Sequence, residues 1–275
     1  MQTIIITGSN SGIGKEAALI LARLGHRILM LCRDSGKSKR AQQEIVRQSG
    51  NENLFLYPVD LSDQHSIRTT IEKVKSQYPA IDVLINNAGV YKAKRELTAD
   101  GIEVTFAVNF LAPFILSERL SENLAAGGNG RIINVVSELY KNGAVTLDDV
   151  MMESRYKAGA AYANAKLATV LYTIELAKRI RDKGITVNAL HPGVLATNAF
   201  RDYPDIIMKI VSLFLEHPQK GGERISYLAV SDEVQGTSGK YFFKTEEREL
   251  FVPANEYEKT EQLLESAQEL TGIRA

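Results

Sequence analysis

The sequence contains a single cysteine and no tryptophan among its 275 residues. A lone cysteine, Cys32, excludes an intramolecular disulfide and is typical of a reducing compartment. Thirty-three basic residues balance thirty-three acidic ones, so no charge excess indicates binding to nucleic acid or anionic lipid. The lack of tryptophan excludes motifs built on that residue, such as WW modules. A chain of this length can bury about three-quarters of the surface that it exposes when unfolded, so it needs no disulfide to fold.

The sequence also lacks any run of the ~18 uncharged apolar residues that a membrane-spanning helix requires. The first strand candidate, Thr3–Thr7, begins two residues after Met1, and this position predicts no signal peptide, transit peptide or anchor. His26, His65 and His217 show no spacing typical of metal ligands, and one cysteine cannot anchor a metal site. We therefore expect a soluble, cytoplasmic protein that binds no metal and no nucleic acid.

Apolar runs of strand length alternate with helical patterns over most of the chain. The strands are rich in Ile, Val and Leu without alternation, which is typical of strands covered on both faces. This pattern predicts one α/β domain over residues 1–275, with a doubly wound, seven-stranded parallel sheet and helices on both faces. The strand candidates are Thr3–Thr7, Arg27–Cys32, Leu54–Pro58, Asp82–Asn86, Arg131–Ser137, Thr186–His191 and Lys240–Phe243. The helix candidates are Gly14–Leu24, Lys37–Gln48, Asp63–Gln77, Gly101–Leu124, Ala160–Arg181 and Lys220–Val230, with a helical C-terminal tail at about 254–271.

Two segments interrupt the alternation, at about 138–159 and 194–218. Both are too long for ordinary connections between strands and helices. Each follows a strand candidate, and excursions at the carboxyl ends of parallel strands commonly form the ligand site of such sheets. We therefore expect both segments to lie on the substrate side of the protein.

A glycine-rich loop joins the first strand to the first helix. Its glycines permit a tight turn and let the backbone approach a pyrophosphate, while the following helix N-terminus offers amide donors. The spacing is GxxxGxG rather than the common GxGxxG, yet its place at the first strand-to-helix junction predicts a dinucleotide site. The residues expected to contact the cofactor here are Gly8, Ser9, Asn10, Ser11, Gly12, Ile13 and Gly14.

With this loop the chain resembles the short-chain dehydrogenase/reductase family, whose dinucleotide motif is TGxxxGIG. Further motifs follow in the family's order, from residue 3 to about residue 243. They are Asp60 in Val-Asp-Leu, Asn86-Asn87-Ala88-Gly89, Asn109, Ser137, Tyr162-Ala163-Asn164-Ala165-Lys166 and His191-Pro192-Gly193. The resemblance implies a single-domain Rossmann fold and an oxidoreductase that uses a nicotinamide cofactor. It also implies cofactor contacts from Asp60, Leu61, Asn87, Ala88, Gly89, Tyr162, Lys166, Pro192, Gly193, Val194 and Thr197.

Tyr162 and Lys166 lie four residues apart in a helical stretch, so their side chains share one helix face. A free tyrosine has a pKa of about 10, and a nearby ammonium favours the phenolate and lowers that pKa. The resemblance implies that Tyr162 is the general acid for carbonyl reduction and the base for alcohol oxidation. It implies that Lys166 also bonds the nicotinamide ribose, that Ser137 holds the carbonyl oxygen, and that Asn109 holds a water in the proton relay.

The end of the second strand bears on the choice between NAD and NADP. Cys32 stands where an NAD-preferring enzyme carries an acid for the ribose 2′-hydroxyl. The next residue, Arg33, suits a 2′-phosphate, which a guanidinium grips through two hydrogen bonds. Lys15 is the second basic position that the resemblance associates with NADP(H), and we predict that cofactor. In the alternative interpretation both cations are solvated surface charges and Asp34 serves as the acid.

Tyr162 follows Ser137 by 25 residues, a longer separation than in many members of the family. This insertion and the run Gly239-Lys240-Tyr241-Phe242 are similar to retinol dehydrogenases and related NADP(H)-dependent reductases. We therefore expect hydride transfer between NADP(H) and a small apolar carbonyl or alcohol. The alternative is an NADP(H)-binding sensor or scaffold without catalysis, which the intact set of four catalytic residues disfavours. Light-dependent protochlorophyllide reduction requires additional cysteines that this chain lacks.

Several features of the sequence are compatible with more than one interpretation. The apolar run Ile206–Leu215 is a lid over an apolar substrate, a partner-binding face or a peripheral membrane helix. The lid is favoured because the run follows the Pro-Gly turn that the resemblance places beside the nicotinamide. We expect His191 to be structural rather than a base, and Glu138 to face solvent rather than substrate. Relatives are dimers, tetramers or monomers, so a homo-oligomer stays open.

Overall fold

The structure is a computed structural model that describes residues 1–33, 35–193 and 216–273. Within these ranges one eight-stranded sheet runs in the order β3-β2-β1-β4-β5-β6-β7-β8. Its first seven strands are parallel, and β8 pairs antiparallel with β7. The strands are β1 (Thr3–Thr7), β2 (Arg27–Cys32), β3 (Leu54–Pro58), β4 (Val83–Asn86), β5 (Gly130–Val135), β6 (Ile185–His191), β7 (Tyr241–Phe243) and β8 (Glu246–Arg248). The strand order changes direction between β1 and β4, which opens a crevice at their carboxyl ends.

Helices cover both faces of the sheet. The longer helices are α1 (Gly12–Arg23), α2 (Gly36–Ser49), α3 (Gln64–Gln77), α5 (Ala112–Ala126), α6 (Ala158–Arg179) and α7 (Pro218–Val230). Alternate residues of β1 point to opposite faces, with Ile5 in the core under α3, α5 and α6, and with Ile4 and Ile6 in the core under α1, α2 and α7. The inner strands are therefore buried on both faces, which is why apolar residues follow one another along them without alternation.

The predicted doubly wound α/β architecture is confirmed, with three corrections. The sheet has an additional antiparallel strand, β8, whose three residues are all exposed and carry no apolar signal. The predicted helix Gly101–Leu124 is shorter and divided into α4 (Val104–Phe106), a π-helical turn (Ala107–Leu111) and α5. The fifth strand ends at Val135, so Ser137 begins the next turn instead of ending the strand.

The excursion at 138–159 is held by two other parts of the chain, the segment after β4 and the C-terminal tail. It contains short 3₁₀ turns at Glu138–Asn142 and Leu147–Asp149. The Tyr156 hydroxyl donates to the Lys92 carbonyl at 2.8 Å. Both backbone groups of Val145 are bonded by side chains of the C-terminal tail: its N–H donates to Glu256 at 2.5 Å, and its carbonyl accepts from Lys259 at 2.9 Å.

The second excursion falls largely outside the described residues. Positions 194–215 are not among them, so the predicted contacts of Val194 and Thr197 and the role of the run Ile206–Leu215 lie outside the described residues, as does Asp34. In the parts of the chain that the structure describes, no helix has the length and apolar character needed to span a bilayer.

The predicted helical tail is confirmed as two helices, α8 (Ala254–Tyr257) and α9 (Thr260–Thr271). Leu263 and Ala267 of α9 belong to the core that lies under α3, α5 and α6. The Tyr257 hydroxyl donates to Glu175 of α6 at 2.7 Å, and Gln64 of α3 donates to the Leu270 carbonyl at 2.9 Å. The tail is therefore part of the folded core and crosses from α6 to α3.

If the tail contributes to the core, Leu263→Ala removes apolar volume from a side chain that is 1% exposed. We expect the free energy of unfolding to fall by about 2–5 kcal/mol, as for other buried leucines. Urea unfolding monitored by circular dichroism measures this loss. The control is Leu264→Ala, the same change at the next, partly buried position, for which a distinctly smaller loss is expected. Equal losses at both positions would contradict the placement of α9.

Candidate active site

The glycine loop after β1 has the geometry of an anion cradle. Gly8 and Gly12 have φ angles of +67° and +55°, which side chains other than glycine adopt rarely. A Cβ on Gly14 would lie 2.8 Å from the Gly8 carbonyl oxygen and would overlap the Asn87 amide, so this crossing requires glycine. Ser11, the N-cap of α1, makes no side-chain capping bond within the described ranges. The first-turn amides of α1 are thus left for an external acceptor.

Thr7 joins the glycine loop to the loop after β4. Its hydroxyl accepts from the backbone amides of Asn87 and Ala88, both at 2.9 Å. The Asn87 side-chain amide donates to the Thr7 carbonyl at 2.8 Å, and its buried Oδ1 has no partner among the described residues. The predicted cofactor residues of the two loops therefore meet across the crevice. An unpaired acceptor buried beside the cradle fits a site that takes a polar ligand.

The other predicted loop residues serve the same junction. The Ser9 hydroxyl donates to the Ile6 carbonyl at 3.1 Å, and Ile13 packs in the core under α1. The Asn10 side chain donates to Ser38 at 2.8 Å, and Ser38 in turn donates to the Arg33 carbonyl at 2.8 Å. Ser38 thus connects the glycine loop to the end of β2, where the cofactor specificity is predicted to lie.

The two cations predicted to select NADP lie in different settings. Arg33 is exposed directly after β2. Lys15 forms an ion pair with Glu44 of α2 at 2.7 Å, a partner that the sequence pattern did not indicate. Cys32 is buried, its Sγ lies 3.4 Å from the Ser9 hydroxyl, and burial raises the pKa of its thiol.

Asp60 and Leu61 follow β3 at the same edge of the sheet. The exposed Asp60 carboxylate accepts from the Ser62 amide at 2.9 Å and from its hydroxyl at 2.6 Å. The Asp60 amide donates to the Ser66 hydroxyl at 3.0 Å, and Leu61 is partly buried against the core. Both residues stand beside the end of β2, since the Val59 amide donates to the Cys32 carbonyl at 2.9 Å.

The four predicted catalytic residues come from three elements, and two of them lie beside Gly89. Tyr162 and Lys166 lie on α6, and Asn109 lies in the π-helical turn. A Cβ on Gly89 would lie 2.8 Å from Asn109 Oδ1, which is too close, and 3.6 Å from Lys166 Nζ, which is an ordinary contact distance. The absence of a side chain at position 89 therefore makes room for the Asn109 amide.

Ser137 and Tyr162 form the second half of the cluster. Ser137 caps the 3₁₀ turn after β5, and its side chain is hydrogen-bonded to Tyr162. Lys166 Nζ lies 5.6 Å from the centre of the Tyr162 ring and donates to the Val135 carbonyl at 2.9 Å. The ring of Tyr91 lies 6.0 Å from that of Tyr162 and forms an aromatic wall beside it.

Burial shifts the pKa values of both titratable residues in the cluster. It raises the pKa of the Tyr162 hydroxyl to about 12, although the hydrogen bond with Ser137 opposes this shift. The lowering expected from the neighbouring Lys166 is therefore not found, because burial outweighs it. Burial lowers the pKa of the Lys166 ammonium to about 8. Both shifts arise because the interior disfavours the charged form. Titratable groups that adjoin a crevice and have pKa values shifted in this way are typical of functional sites.

Asn109 is held rigidly. Its side-chain amide donates to the carbonyls of Val90 at 2.8 Å and Thr105 at 2.9 Å, and its Oδ1 accepts from the Val90 amide at 3.3 Å. Its backbone carbonyl accepts from the Thr169 hydroxyl of α6 at 2.9 Å. The π-helical turn places an irregular backbone at this point, and such turns occur often at functional sites.

At the end of β6, His191 is buried and packs against Phe243, with ring centres 5.4 Å apart. Neither ring nitrogen has a partner among the described residues, and burial lowers the pKa of the imidazole. This environment agrees with the expected structural role. Glu138 is exposed and pairs with Lys141 at 2.9 Å, as expected for a residue that faces solvent.

The turn Pro192–Gly193 follows His191 directly. The Pro192 carbonyl accepts from Arg224 of α7 at 2.6 Å. Arg224, Thr7 and Tyr91 lie at the site but are not among the residues predicted for it. Thr7 was detectable as the first letter of the TGxxxGIG motif, and Tyr91 as an aromatic two positions after Gly89. Arg224 carries no local signal because it reaches the turn from a separate helix.

Known proteins with similar sequences identify the family of this chain. The family described as short chain dehydrogenase matches residues 2–205. Human retinol dehydrogenase 14 (Homo sapiens) is 35% identical over 291 residues, which cover 99% of this chain and 87% of that protein. Human retinol dehydrogenase 13 is 36% identical over 283 residues, which cover 100% of this chain and 86% of that protein.

Solved structures agree with the predicted Rossmann fold. A protein of uncharacterised function from Mycobacterium paratuberculosis has a TM-score of 0.80 at 27% identity, with 100% of this chain and 94% of that one covered. A structure from Beutenbergia cavernae, described as an NAD(P)-dependent gluconate 5-dehydrogenase with bound NADP, has a TM-score of 0.71 at 26% identity and covers 88% of this chain and 94% of its own. The expected Rossmann architecture is confirmed, and the chain belongs to the short-chain dehydrogenase family.

Proposed function

We propose that the protein is an NADP(H)-dependent oxidoreductase that transfers a hydride between the nicotinamide and an apolar carbonyl or alcohol. One observation carries the proposal: four residues from three separate elements lie together. Tyr162 adjoins Ser137 and Lys166, and Lys166 and Asn109 both lie beside Gly89. Such a cluster is not required for binding alone, so it favours catalysis over a sensor or scaffold.

The residues around the crevice fit a dinucleotide. The first-turn amides of α1 are free of side-chain caps in the described chain, and the close crossing of Gly14 over Gly8 leaves backbone, not side chain, to meet a pyrophosphate. The unpaired Oδ1 of Asn87 offers an acceptor beside the same cradle. When bound, NADP(H) supplies or accepts the hydride at its nicotinamide ring.

Tyr162 is suited to act first as an acid. With a pKa of about 12 its hydroxyl holds the proton at neutral pH, so it can donate that proton to a carbonyl oxygen. The Ser137 hydroxyl, hydrogen-bonded to Tyr162, would hold the same oxygen and polarise it. The nearby Lys166 ammonium would stabilise the phenolate that remains after the proton has left.

A proton must then return to Tyr162 from solvent. Lys166 and Asn109 both lie beside Gly89, and the pKa of about 8 lets Lys166 release a proton near neutral pH. We infer that Lys166 passes protons and that Asn109 orients a water between Lys166 and the outside. The bonds from Asn109 to Val90 and Thr105 would keep that water's position fixed.

The preference for NADP(H) rests on Arg33 and Lys15. Arg33 is exposed and has no acidic residue before it, because Cys32 occupies that position. Lys15 is held by Glu44 at 2.7 Å, and a 2′-phosphate would compete with this carboxylate for the ammonium. A dianionic phosphate offers the stronger charge-assisted hydrogen bonds.

An apolar substrate is proposed from the surroundings of Tyr162. The Tyr91 ring stands beside it, and Leu139 is exposed in the turn that Ser137 begins. Neither residue would pair with a charged substrate. The curated relatives described above are named for retinol, an apolar alcohol, and this supports the same substrate class here.

Tyr162→Phe removes the proposed proton donor and keeps the ring. We expect kcat for NADPH-dependent aldehyde reduction to fall by about 10²–10⁴-fold, the usual contribution of a general acid, with NADPH affinity retained. The control, Tyr172→Phe, makes the same change on α6 at a tyrosine that bonds Glu118 instead, and it should keep full turnover. Wild-type protein that binds NADPH yet reduces none of a panel of aliphatic, aromatic, terpenoid and steroid carbonyls would refute catalysis.

Arg33→Gln and Lys15→Gln each remove one proposed phosphate contact. We expect the KM for NADPH to rise by about tenfold for each, the loss typical of a hydrogen bond to a charged group, with little change in the KM for NADH. Steady-state kinetics with each cofactor measures the KM for NADPH and the KM for NADH of every variant. Lys39→Gln, an exposed cation on α2, is the control and should leave both constants unchanged. Equal effects on NADPH and NADH would exclude a role in phosphate recognition.

Lys166→Met removes a buried cation and tests its lowered pKa. In the folded wild type the pKa is about 8, against an ordinary value of 10.5, so the unfolded state binds more protons between those pH values. Wild-type stability should therefore rise with pH through this window, by at most about 1.4 kcal/mol per pH unit, relative to the variant. Urea unfolding of both proteins between pH 7 and pH 10 measures the difference. Parallel pH profiles would show that Lys166 titrates normally.

A further inference from the structure

The guanidinium of one residue, Arg224, is hydrogen-bonded to the Pro192–Gly193 turn at the end of β6. Arg224 of α7 donates from Nη1 to the Pro192 carbonyl at 2.6 Å. Its side chain is only 11% exposed. The residue lies beyond the segment 2–205 that matches the family, so the family pattern assigns it no role.

Gly193 allows this approach. Its φ of +96° lies in the left-handed region that favours glycine. A Cβ at this position would lie 2.6 Å from Arg224 Nη1 and 3.3 Å from Glu216 Oε1. The guanidinium therefore packs directly on the backbone of the turn, and any larger residue would displace it.

The charge of Arg224 is compensated by an ion-pair network. Its Nη2 bonds the Glu216 carboxylate, whose other oxygen accepts from Lys244 at 2.9 Å. Lys244 lies in the turn between β7 and β8, and its amide donates to the His191 carbonyl at 2.9 Å. A nearly buried cation needs such partners, since desolvation would otherwise disfavour it. The network thus links α7, the hairpin formed by β7 and β8, and the end of β6.

We propose that Arg224 is a positioning residue that fixes the peptide groups of Pro192 and Gly193 for the nicotinamide half of the cofactor. The inference rests on the proposed function, in which this turn contacts the cofactor. Arg224 acts through the backbone of the turn. The glycine loop and Arg33, which belong to the adenosine half, lie on other elements, so the two halves of the cofactor should respond differently to its loss.

The test compares two ligands that share only one half. NADPH spans the whole site, whereas adenosine 2′,5′-bisphosphate lacks the nicotinamide. For Arg224→Gln we expect the Kd of NADPH to rise about tenfold, the effect of losing a hydrogen bond from a charged donor, with the Kd of the bisphosphate unchanged. Titration calorimetry measures both constants without turnover. Lys220→Gln, which removes an exposed ion pair with Glu223 on the same helix, is the control and should change neither.

A second variant keeps the test valid if Arg224→Gln folds poorly. Arg224→Lys keeps the charge for Glu216 but lacks the planar fork with which the guanidinium spans Pro192 and Glu216, so it should weaken NADPH binding less and in the same direction. Equal weakening of both ligands, or no change in either, would overturn the positioning role while leaving the proposed function intact. Wild-type protein that binds neither ligand would overturn the proposed function and the positioning role with it.

Discussion

The buried ammonium of Lys166 is the constraint on which the rest of the site depends. A cation in the interior is costly unless it is hydrogen-bonded, and the Val135 carbonyl supplies one bond at 2.9 Å. This bond brings α6 against the end of β5, where Ser137 begins the next turn. Gly89 lies beside the same lysine, and a Cβ at this position would lie 2.8 Å from the Asn109 amide oxygen.

The elements around that cluster are held by contacts distant in sequence. Asn109 is fixed by Val90 and Thr105 on one side and by Thr169 of α6 on the other. The excursion between Ser137 and Tyr162 is tied to the C-terminal tail through both backbone groups of Val145. The tail therefore stabilises the segment that joins Ser137 to the proposed proton donor, Tyr162, although the tail lies beyond the part of the chain that matches the family.

Much of the fold was predictable because the strands are covered on both faces. The bounds of β1, β2 and β3 agree with the apolar runs, and in β1 and β2, whose positions are almost all buried, most residues are apolar. The exposed β8 was missed for the same reason: its residues Glu246–Arg248 carry no burial signal. The π-helical turn was missed because a one-residue change in helical hydrogen bonding leaves the helical periodicity almost unaltered.

The candidate site likewise has features that the sequence predicts and features that only the folded structure shows. The sequence by itself determined the residue types of the proposed catalytic cluster and of the glycine cradle, because both are short motifs in which spacing fixes geometry. Only the tertiary structure decided that Glu44 pairs with Lys15 and that Arg224 supports the turn at Pro192. Both contacts join elements far apart in the chain, and no local pattern encodes which side chains a folded sheet brings together. Cys32 illustrates both the local and the tertiary contribution. Its uncharged side chain, which is evident from the sequence, favours NADP, whereas its burial beside Ser9 results from the fold.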